Sequence, residues 1–267
     1  MKKRSDLFLR CGAVISGIMM LVMIVGFFWT PYDPTAMDYS AKFDPPSLAH
    51  LLGTDNFGRD IFSRVVQGAG TSFVIGLCVV AIGCLGGIVI GSVCGYMGGL
   101  ADMILTRVCD SITAFPAFLL ALVIVSVAGP GTENIILALG ILFIPSFARI
   151  VRGEFARCRD LNYIKSARLM GAGSVRIMFS HILPNTFPVL LSALTIGFNN
   201  AVLSEAGMSF LGLGIQPPYA SLGSMLNDSQ TYLQSAPWYA LGTGAAISLL
   251  ILGFSLLSEG LQLRGKE

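Results

Sequence analysis

The chain has 267 residues, of which 54% are hydrophobic and 12% are charged, and its net charge is +2. A soluble domain carries roughly twice that share of charged residues, so the composition excludes a soluble protein. Together with a mean hydropathy of +0.75, it predicts a protein of the lipid bilayer, and no nucleic-acid partner is expected.

Six apolar runs approach the length of about 20 residues with which a helix crosses a bilayer. They lie near residues 11–29, 73–97, 110–128, 134–148, 186–205 and 238–258, and the fourth is the shortest. The repeated alternating segments of a transmembrane barrel do not occur. Since the first run ends in FFWTPYDP rather than at a small-residue cleavage site, we expect a retained anchor helix. The sequence therefore predicts an all-α integral membrane protein with six transmembrane helices.

The distribution of positive charges predicts how these helices are oriented. Of the seventeen Lys and Arg residues, only Lys42, Arg59 and Arg64 fall in loops on the side opposite the N-terminus. Both termini are therefore expected in the cytoplasm. None of the six cysteines falls in a large outer loop, so no disulfide is expected.

The ionisable residues argue against several classes of membrane protein. Asp110, Glu133, Glu205 and Glu259 all lie at the edges of predicted spans, which is not the pattern of a proton- or sodium-coupled carrier. The sequence has no HExxH, GxSxG or GxxxxGK[ST] motif. We therefore expect no catalytic residue here, and a partner must hydrolyse ATP if ATP drives transport.

Residues 52–64, LGTDNFGRDIFSR, follow the first span. Gly58 permits a turn, and Asp60 and Arg64 are spaced as a favourable helical pair. Since Ile61, Phe62, Val65 and Val66 share one face, the segment predicts a short amphipathic helix at the outer interface. It either anchors the second span or contributes to substrate passage.

The second span carries a glycine at every fourth position: Gly83, Gly87, Gly91, Gly95 and Gly99. A face of small residues lets two helix backbones approach closely. Packing inside the bundle and contact with a second membrane subunit are both compatible with this face.

Residues 163–185, YIKSARLMGAGSVRIMFSHILPN, form a polar, Arg-rich segment between two apolar runs. A first short helix is expected from Tyr163 to Met170, capped by Asp160 or Asn162 and stopped by Gly171 or Gly173. A second is expected from Ser174 to near Pro184. The segment is either a compact pair of short helices that docks into a cleft of another protein or a positively charged loop that contacts lipid headgroups.

The fifth span and the residues after it carry further candidates. Asn199, Asn200 and Ser204 could line a substrate path or make hydrogen bonds between helices, because amides in hydrocarbon need partners. Residues 206–214, AGMSFLGLG, are too few to cross the membrane and are expected to fold back or to lie at its surface.

Three of these segments together resemble the permeases of ABC importers for dipeptides, oligopeptides and nickel, and specifically the C-type member of each permease pair. Residues 52–64 are similar to the LGTDxxGRDxxSR segment of that subfamily, and residues 206–214 to its SFLGLG segment. Residues 163–185 are similar to the EAA loop, with Ala167, Gly171 and Ile182–Leu183–Pro184 at the matching places. The resemblance covers about residues 12–260.

This resemblance implies a type I ABC importer transmembrane domain in a bacterial cytoplasmic membrane. Residues 1–70 would form an anchor helix and an outer-loop segment, and residues 71–260 a permease core with a cytoplasmic coupling loop at about 150–185. It implies a second permease, two ATPase subunits that bind ATP and Mg, and an extracytoplasmic substrate-binding protein, with no cofactor or metal in this chain. The residues implied in ATPase coupling are Tyr163, Lys165, Ser166, Ala167, Arg168, Gly171, Ile182, Leu183 and Pro184.

Peptides are the implied substrate, with nickel or a metal chelate as one alternative and a stand-alone channel or secondary carrier as another. The chain departs from the family at Lys165 and Ser166, where Glu followed by Ala is usual. With Asn162 as the cap, Lys165 would be the third helical residue and would lose the capping-box and dipole interactions that a Glu makes. The C-terminal LLSEGLQLRGKE also replaces the Asp-rich tail of many relatives.

Overall fold

The computed structural model describes residues 2–265, and the part of the C-terminal expectation that rests on Lys266 and Glu267 lies outside the described residues. The predicted all-α class is confirmed. The long helices are α1 (Lys2–Phe28), α2 (Ile61–Met97), α5 (Thr132–Arg159), α8 (Leu183–Phe210) and α10 (Pro237–Gly265). Shorter ones are α3 (Gly99–Thr113), α4 (Ala117–Ala128), α6 (Asn162–Leu169), α7 (Ser174–Arg176) and α9 (Leu222–Gln230).

Five helical stretches within the described residues are long and apolar enough to cross a bilayer: Phe8–Phe28, Ile61–Met97, Thr132–Arg159, Ser174–Phe210 and Pro237–Gly260. The pair α3 and α4, bent by 81° at the break between them, makes a sixth if it is counted as one span. The predicted span at 110–128 is therefore wrong in its bounds. Pro116 precedes α4 and removes a backbone donor, so the helix breaks at that point.

The separate amphipathic helix predicted around residues 58–66 does not exist, because α2 begins at Ile61 and runs unbroken for 37 residues. Asp60 caps it by accepting a hydrogen bond from the Ser63 amide at 2.8 Å. Ile61, Val65 and Val66 are buried in the protein rather than at a membrane surface. The same helix crosses residue 70, so the anchor region 1–70 and the core 71–260 share it.

The second short helix predicted to end near Pro184 is likewise part of a longer one. From Ser174 the chain passes through a π-helical stretch, Ile177–Ile182, directly into α8. A π-helical turn widens the backbone spacing, which accommodates a proline in the first turn of the helix that follows. Pro184 therefore lies inside a continuous helical rod that ends at Phe210.

Two polar ends of the bundle are separated by the length of α2, about 55 Å at 1.5 Å per residue. The elbow, residues 160–185, lies against the C-terminal end of α2, where Arg168 Nη2 donates to the Tyr96 hydroxyl at 3.3 Å. The cap, residues 29–60 and 211–236, lies at the N-terminal end of α2. Its two parts meet at Phe43 and Tyr232, whose rings are 4.9 Å apart.

Helix α1 packs on the outside of the bundle against α10. The approach is close at three glycines, since a Cβ on Gly12, Gly253 or Gly260 would meet backbone atoms of the facing helix. Much of the remaining surface of α1 is exposed and apolar, as at Val14, Leu21 and Phe28. This surface is suited to lipid contact.

Candidate functional site

The elbow turns the chain back on itself between α6 and α7. Gly171 has φ +83°, a conformation that L side chains rarely adopt, and a Cβ there would meet no atom within 4 Å. Its amide donates to the Arg168 carbonyl and the Ala172 amide to the Ala167 carbonyl, both at 3.0 Å. Gly171 is therefore required by the backbone conformation that ends α6 and not by crowding.

The start of α6 differs from the prediction. Leu161 occupies the N-cap position without a side-chain hydrogen bond, so neither Asp160 nor Asn162 caps the helix. Lys165 is consequently the fourth helical residue, and its amide already donates to the Leu161 carbonyl at 3.1 Å. A capping box requires a Glu at the third helical position, so Lys165 at the fourth position does not cost the helix that interaction.

The buried side of the elbow fixes it to the bundle. Ile164, Ile177 and Ile182 are fully buried, and they belong to one apolar cluster with Val151 and Phe155 of α5. Ala167 and Met178 are buried as well, and Arg168 also lies over the Tyr96 ring at 5.6 Å. The buried side of the elbow therefore packs against the ends of α2 and α5.

The opposite side of the elbow exposes apolar side chains. Leu169 is 89% exposed and Met170 82%, with Val175 and Tyr163 nearby in sequence and also exposed. Grouped exposed apolar side chains at a polar end of a bundle make this side of the elbow a candidate interaction surface.

The predicted coupling residues thus divide into two sets. Ala167 and Ile182 are buried, and Leu183 is half-buried. The exposed members are Tyr163, Lys165, Ser166, Arg168, Gly171 and Pro184. The buried set holds the elbow in place, and only the exposed set can touch another protein.

The glycine face of α2 lies against α5. A Cβ on Gly83 would stand 2.8 Å from Phe143 Cβ, and one on Gly91 or Gly95 would stand 2.5 Å from a carbonyl oxygen of α5. A Cβ on Gly87 would clash with Phe147. Gly99 lies beyond the end of α2 and has nothing within 4 Å of its Cβ position.

A cavity of about 300 Å³ lies between α5 and α8 and is lined by two of the three predicted path residues, Asn200 and Ser204. Ser146 of α5 is a third polar member, among aromatic and aliphatic side chains that include Phe143 and Phe147. Asn199 does not line it, and its buried Oδ1 has no hydrogen-bond partner in the described chain. The cavity can donate and accept hydrogen bonds without presenting a charge.

Glu205 does not lie at the edge of a span, as the sequence suggested, because α8 continues to Phe210. Its side chain is fully buried, and Oε1 accepts a hydrogen bond from Ser209 Oγ at 2.7 Å. The hydroxyls of Ser72 on α2 and Ser221 before α9 lie next to the same carboxyl group. Recognising that residues 206–210 extend the helix would have placed Glu205 inside the bundle.

The cap contains a buried charge network that replaces the predicted Asp60–Arg64 pair. Asp60 Oδ1 contacts His50 Nδ1 at 2.9 Å, while Oδ2 caps α2. Arg64 instead lies 3.7 Å from Asp55 Oδ2, the same oxygen that accepts from Arg59 Nε at 2.6 Å. The four-residue spacing predicted the wrong partner for Arg64, because Asp60 is the N-cap of α2 and its carboxylate is directed to the first turn of the helix.

Two exposed carboxylates of the cap are held ionised by local hydrogen bonds. The hydroxyl and amide of Ser40 donate to Asp38 and lower its pKa, and Thr35 has the same effect on the pKa of Asp33. Such bonds favour the charged form.

Comparison with known proteins places this arrangement among transport proteins. Residues 87–264 match the family described as binding-protein-dependent transport system inner membrane component. The chain is 40% identical over 255 residues to the glutathione transport system permease protein of Pectobacterium atrosepticum, covering 94% of this chain and 85% of that protein. It is 37% identical over 257 residues to the dipeptide transport system permease protein of Haemophilus influenzae, covering 94% and 87%.

A solved structure shares the fold. The inward-facing MetNI methionine ABC transporter aligns with a TM-score of 0.54 at 20% identity, over 77% of this chain and 93% of that chain. The predicted fold of a type I ABC importer transmembrane domain is thereby confirmed.

Proposed function

The chain belongs to the family of binding-protein-dependent transport system inner membrane components, and on that premise we propose that it carries di- and oligopeptides across a bacterial cytoplasmic membrane. It is a permease subunit of an ABC importer and is not itself catalytic. Relatives named for dipeptide and glutathione transport support a peptide substrate over nickel or a metal chelate. A binding-protein-dependent family argues against a stand-alone channel or secondary carrier.

The proposed machine contains a second permease, two ATPase subunits and an extracytoplasmic binding protein. ATP and Mg are bound by the ATPase subunits, and this chain holds no cofactor. The cap faces outward and the elbow faces the cytoplasm, an orientation that the Lys and Arg distribution supports.

The elbow is the proposed contact with an ATPase subunit, and its exposed apolar surface is the observation that carries the proposal. Leu169, Met170 and Val175 present the apolar part of the contact, and Lys165 and Arg168 present positive charge beside it. Burying such side chains in a groove of a partner yields about 25 cal/mol per Å² of apolar surface removed from water. A carboxylate of the ATPase facing Lys165 would take the place of the Glu that relatives carry.

Movement passes from the elbow to the membrane helices through rigid contacts. The helical rod from Ser174 to Phe210 starts in the elbow and ends at the cap. The close approach of α2 and α5 at Gly87, Gly91 and Gly95 leaves little room for these helices to slide independently. ATP-driven closure of the ATPase subunits would therefore tilt the bundle between outward-open and inward-open states.

The substrate path is proposed along the face where Asn200, Ser204 and Ser146 line a cavity. Their uncharged groups match the amide groups of a peptide backbone, which recur in every peptide whatever its sequence. Asn199 is assigned to the same path with its buried, unpaired Oδ1 as a hydrogen-bond acceptor that a moving helix could expose.

The test is import of a labelled dipeptide into proteoliposomes that contain all the subunits. Import is expected to require ATP, and L169S/M170S is expected to lose most of it while the protein still inserts into the membrane. L48S is the matched control, because Leu48 is fully exposed at the cap. Dipeptide transport by this chain alone, without ATPase subunits, would refute the proposal.

A further inference from the structure

A cavity of about 660 Å³ lies between the two parts of the cap. It is lined by Asn56 and Arg59 from the first part, by Arg64 of α2, and by Gln216 and Asp228 from the second part. Small-ligand sites typically enclose about 300–1,000 Å³. The cavity is therefore large enough for a short peptide.

Two buried guanidinium groups line this cavity. Arg59 is 4% exposed and Arg64 2% exposed, and within the described chain both share the carboxylate of Asp55 as their ion-pair partner. Arg64 Nη1 also donates to the Pro34 carbonyl at 3.0 Å, and the carboxylate of Asp228 interacts with both guanidinium groups from beyond ion-pair distance. Arg64 Nε has no hydrogen-bond partner in this part of the chain. A guanidinium group has five N–H donors, and a buried cation is stable only when it is paired. The two arginines can therefore bind a second carboxylate.

Other groups on the wall complement a peptide as well. Asp228 of α9 makes no ion pair with a described residue, so its carboxylate can accept from an ammonium group. Asn56 Oδ1 is buried and has no hydrogen-bond partner among the described residues. The ring of Phe57, over which Arg59 lies at 4.6 Å, supplies apolar surface for a side chain.

We propose that this cap cavity binds the free ends of a short peptide, with the carboxylate at Arg59 and Arg64 and the ammonium group at Asp228. The site would receive a peptide released by the binding protein before it enters the bundle. The inference rests on the proposed function and narrows the substrate class to peptides whose two ends are unblocked.

The first test compares ligands on the unmodified protein. Equilibrium dialysis with the complete importer in nanodiscs, without nucleotide or binding protein, gives the Kd of trialanine, its C-terminal amide and its N-acetyl derivative. Each blocking group is expected to weaken binding at least about tenfold, as the loss of a charge-assisted hydrogen bond does. Equal affinities for the three ligands, or no binding of trialanine, would overturn the inference.

The second test assigns each end of the peptide to its residue. D228N should abolish the discrimination against N-acetyl-trialanine and keep that against the amide, whereas R59Q should do the reverse. D160N, an exposed carboxylate of the elbow, is the matched control and should leave both ratios unchanged. Because each result is a ratio of two Kd values on one protein, a general loss of stability in R59Q does not imitate it.

The outcomes separate this inference from the proposed function. If the importer carries trialanine with ATP but the variants keep both ratios, the cap cavity is not the peptide site and the proposed function stands. If R59Q weakens only the affinity for the binding protein, the carboxylate belongs to that protein and the inference is wrong. If no peptide is imported with ATP, the proposed function itself fails.

Discussion

Glu205 is a carboxyl group enclosed by α2, α8 and the start of α9, and it faces hydroxyl groups rather than a cation. Ser209 Oγ donates to it, while Ser72 and Ser221 lie beside it. Gly223 lets α9 approach, since a Cβ there would stand 2.8 Å from Ser209 Cβ. The carboxyl group therefore lies where the cap meets two transmembrane helices, and its Oε2 has no hydrogen-bond partner among the described residues.

E205Q should be tolerated because an amide has the shape of a carboxyl group and can also donate and accept hydrogen bonds. E205A should cost about 2–4 kcal/mol, since it leaves a void and removes the acceptor of the Ser209 hydroxyl group. Thermal unfolding of the detergent-purified protein measures both. Equal damage by the two variants would contradict this account, because it would mean that the negative charge of Glu205 is required for stability.

At Gly171 the backbone conformation of the elbow can be tested for its effect on the proposed coupling to the ATPase. G171V should greatly reduce peptide import with normal membrane insertion, because a β-branched residue is strained at φ +83°. G171N should retain more activity, since Asn tolerates this conformation better. The control is G173A, where φ is −68° and a Cβ meets nothing within 4 Å; import as low in G173A as in G171V would contradict this explanation.

The position of an individual residue was predictable where it depends only on its neighbours in the sequence. Ala167 and Gly171 fall in the elbow because helix length and glycine position are local properties. The partner of Arg64 was not predictable, because Asp55 reaches it only after the chain has turned at Gly58. Glu205 was misplaced because hydropathy does not mark where a helix ends inside a protein.

At the scale of elements, the contact between α2 and α5 organises the bundle. Its glycine spacing was visible in the sequence, but the sequence did not show which helix the glycines would face, since the facing residues of α5 lie about 60 residues further along the chain. The breaks were less predictable. Pro116 separates two helices, whereas Pro184 and Pro145 lie inside helices, and the difference depends on the surrounding backbone.

The close approach of α2 and α5 gives a test at this scale. G91L should prevent stable folding, because its Cβ alone would stand 2.5 Å from the Ala148 carbonyl oxygen. G91A is expected to cost about 1–3 kcal/mol, as overpacking does. G17A on α1 is the control, with nothing near its Cβ position, and it should be neutral or slightly stabilising. Thermal stability in detergent is the measurement, and a neutral G91L would disprove the contact.

At the scale of the whole molecule, the proposed function requires the elbow and the cap to face opposite compartments. In a background without the native cysteines, L48C should react with a membrane-impermeant maleimide applied to intact cells. L169C should react only after the membrane is permeabilised, because the elbow is assigned to the cytoplasm. The reverse pattern of labelling would invert the orientation and remove the elbow from any cytoplasmic ATPase.

The most direct measurement is site-specific photocrosslinking from the exposed elbow in the assembled importer. A photoreactive residue at Val175 should yield an adduct with an ATPase subunit, while the same residue at Leu48 in the cap should yield none with that subunit. Nucleotide should change the yield at Val175, since ATP binding moves the two proteins relative to each other. Absence of the adduct at Val175, in a complex that imports peptide, would contradict the assignment of the elbow as the site where ATP hydrolysis drives the bundle.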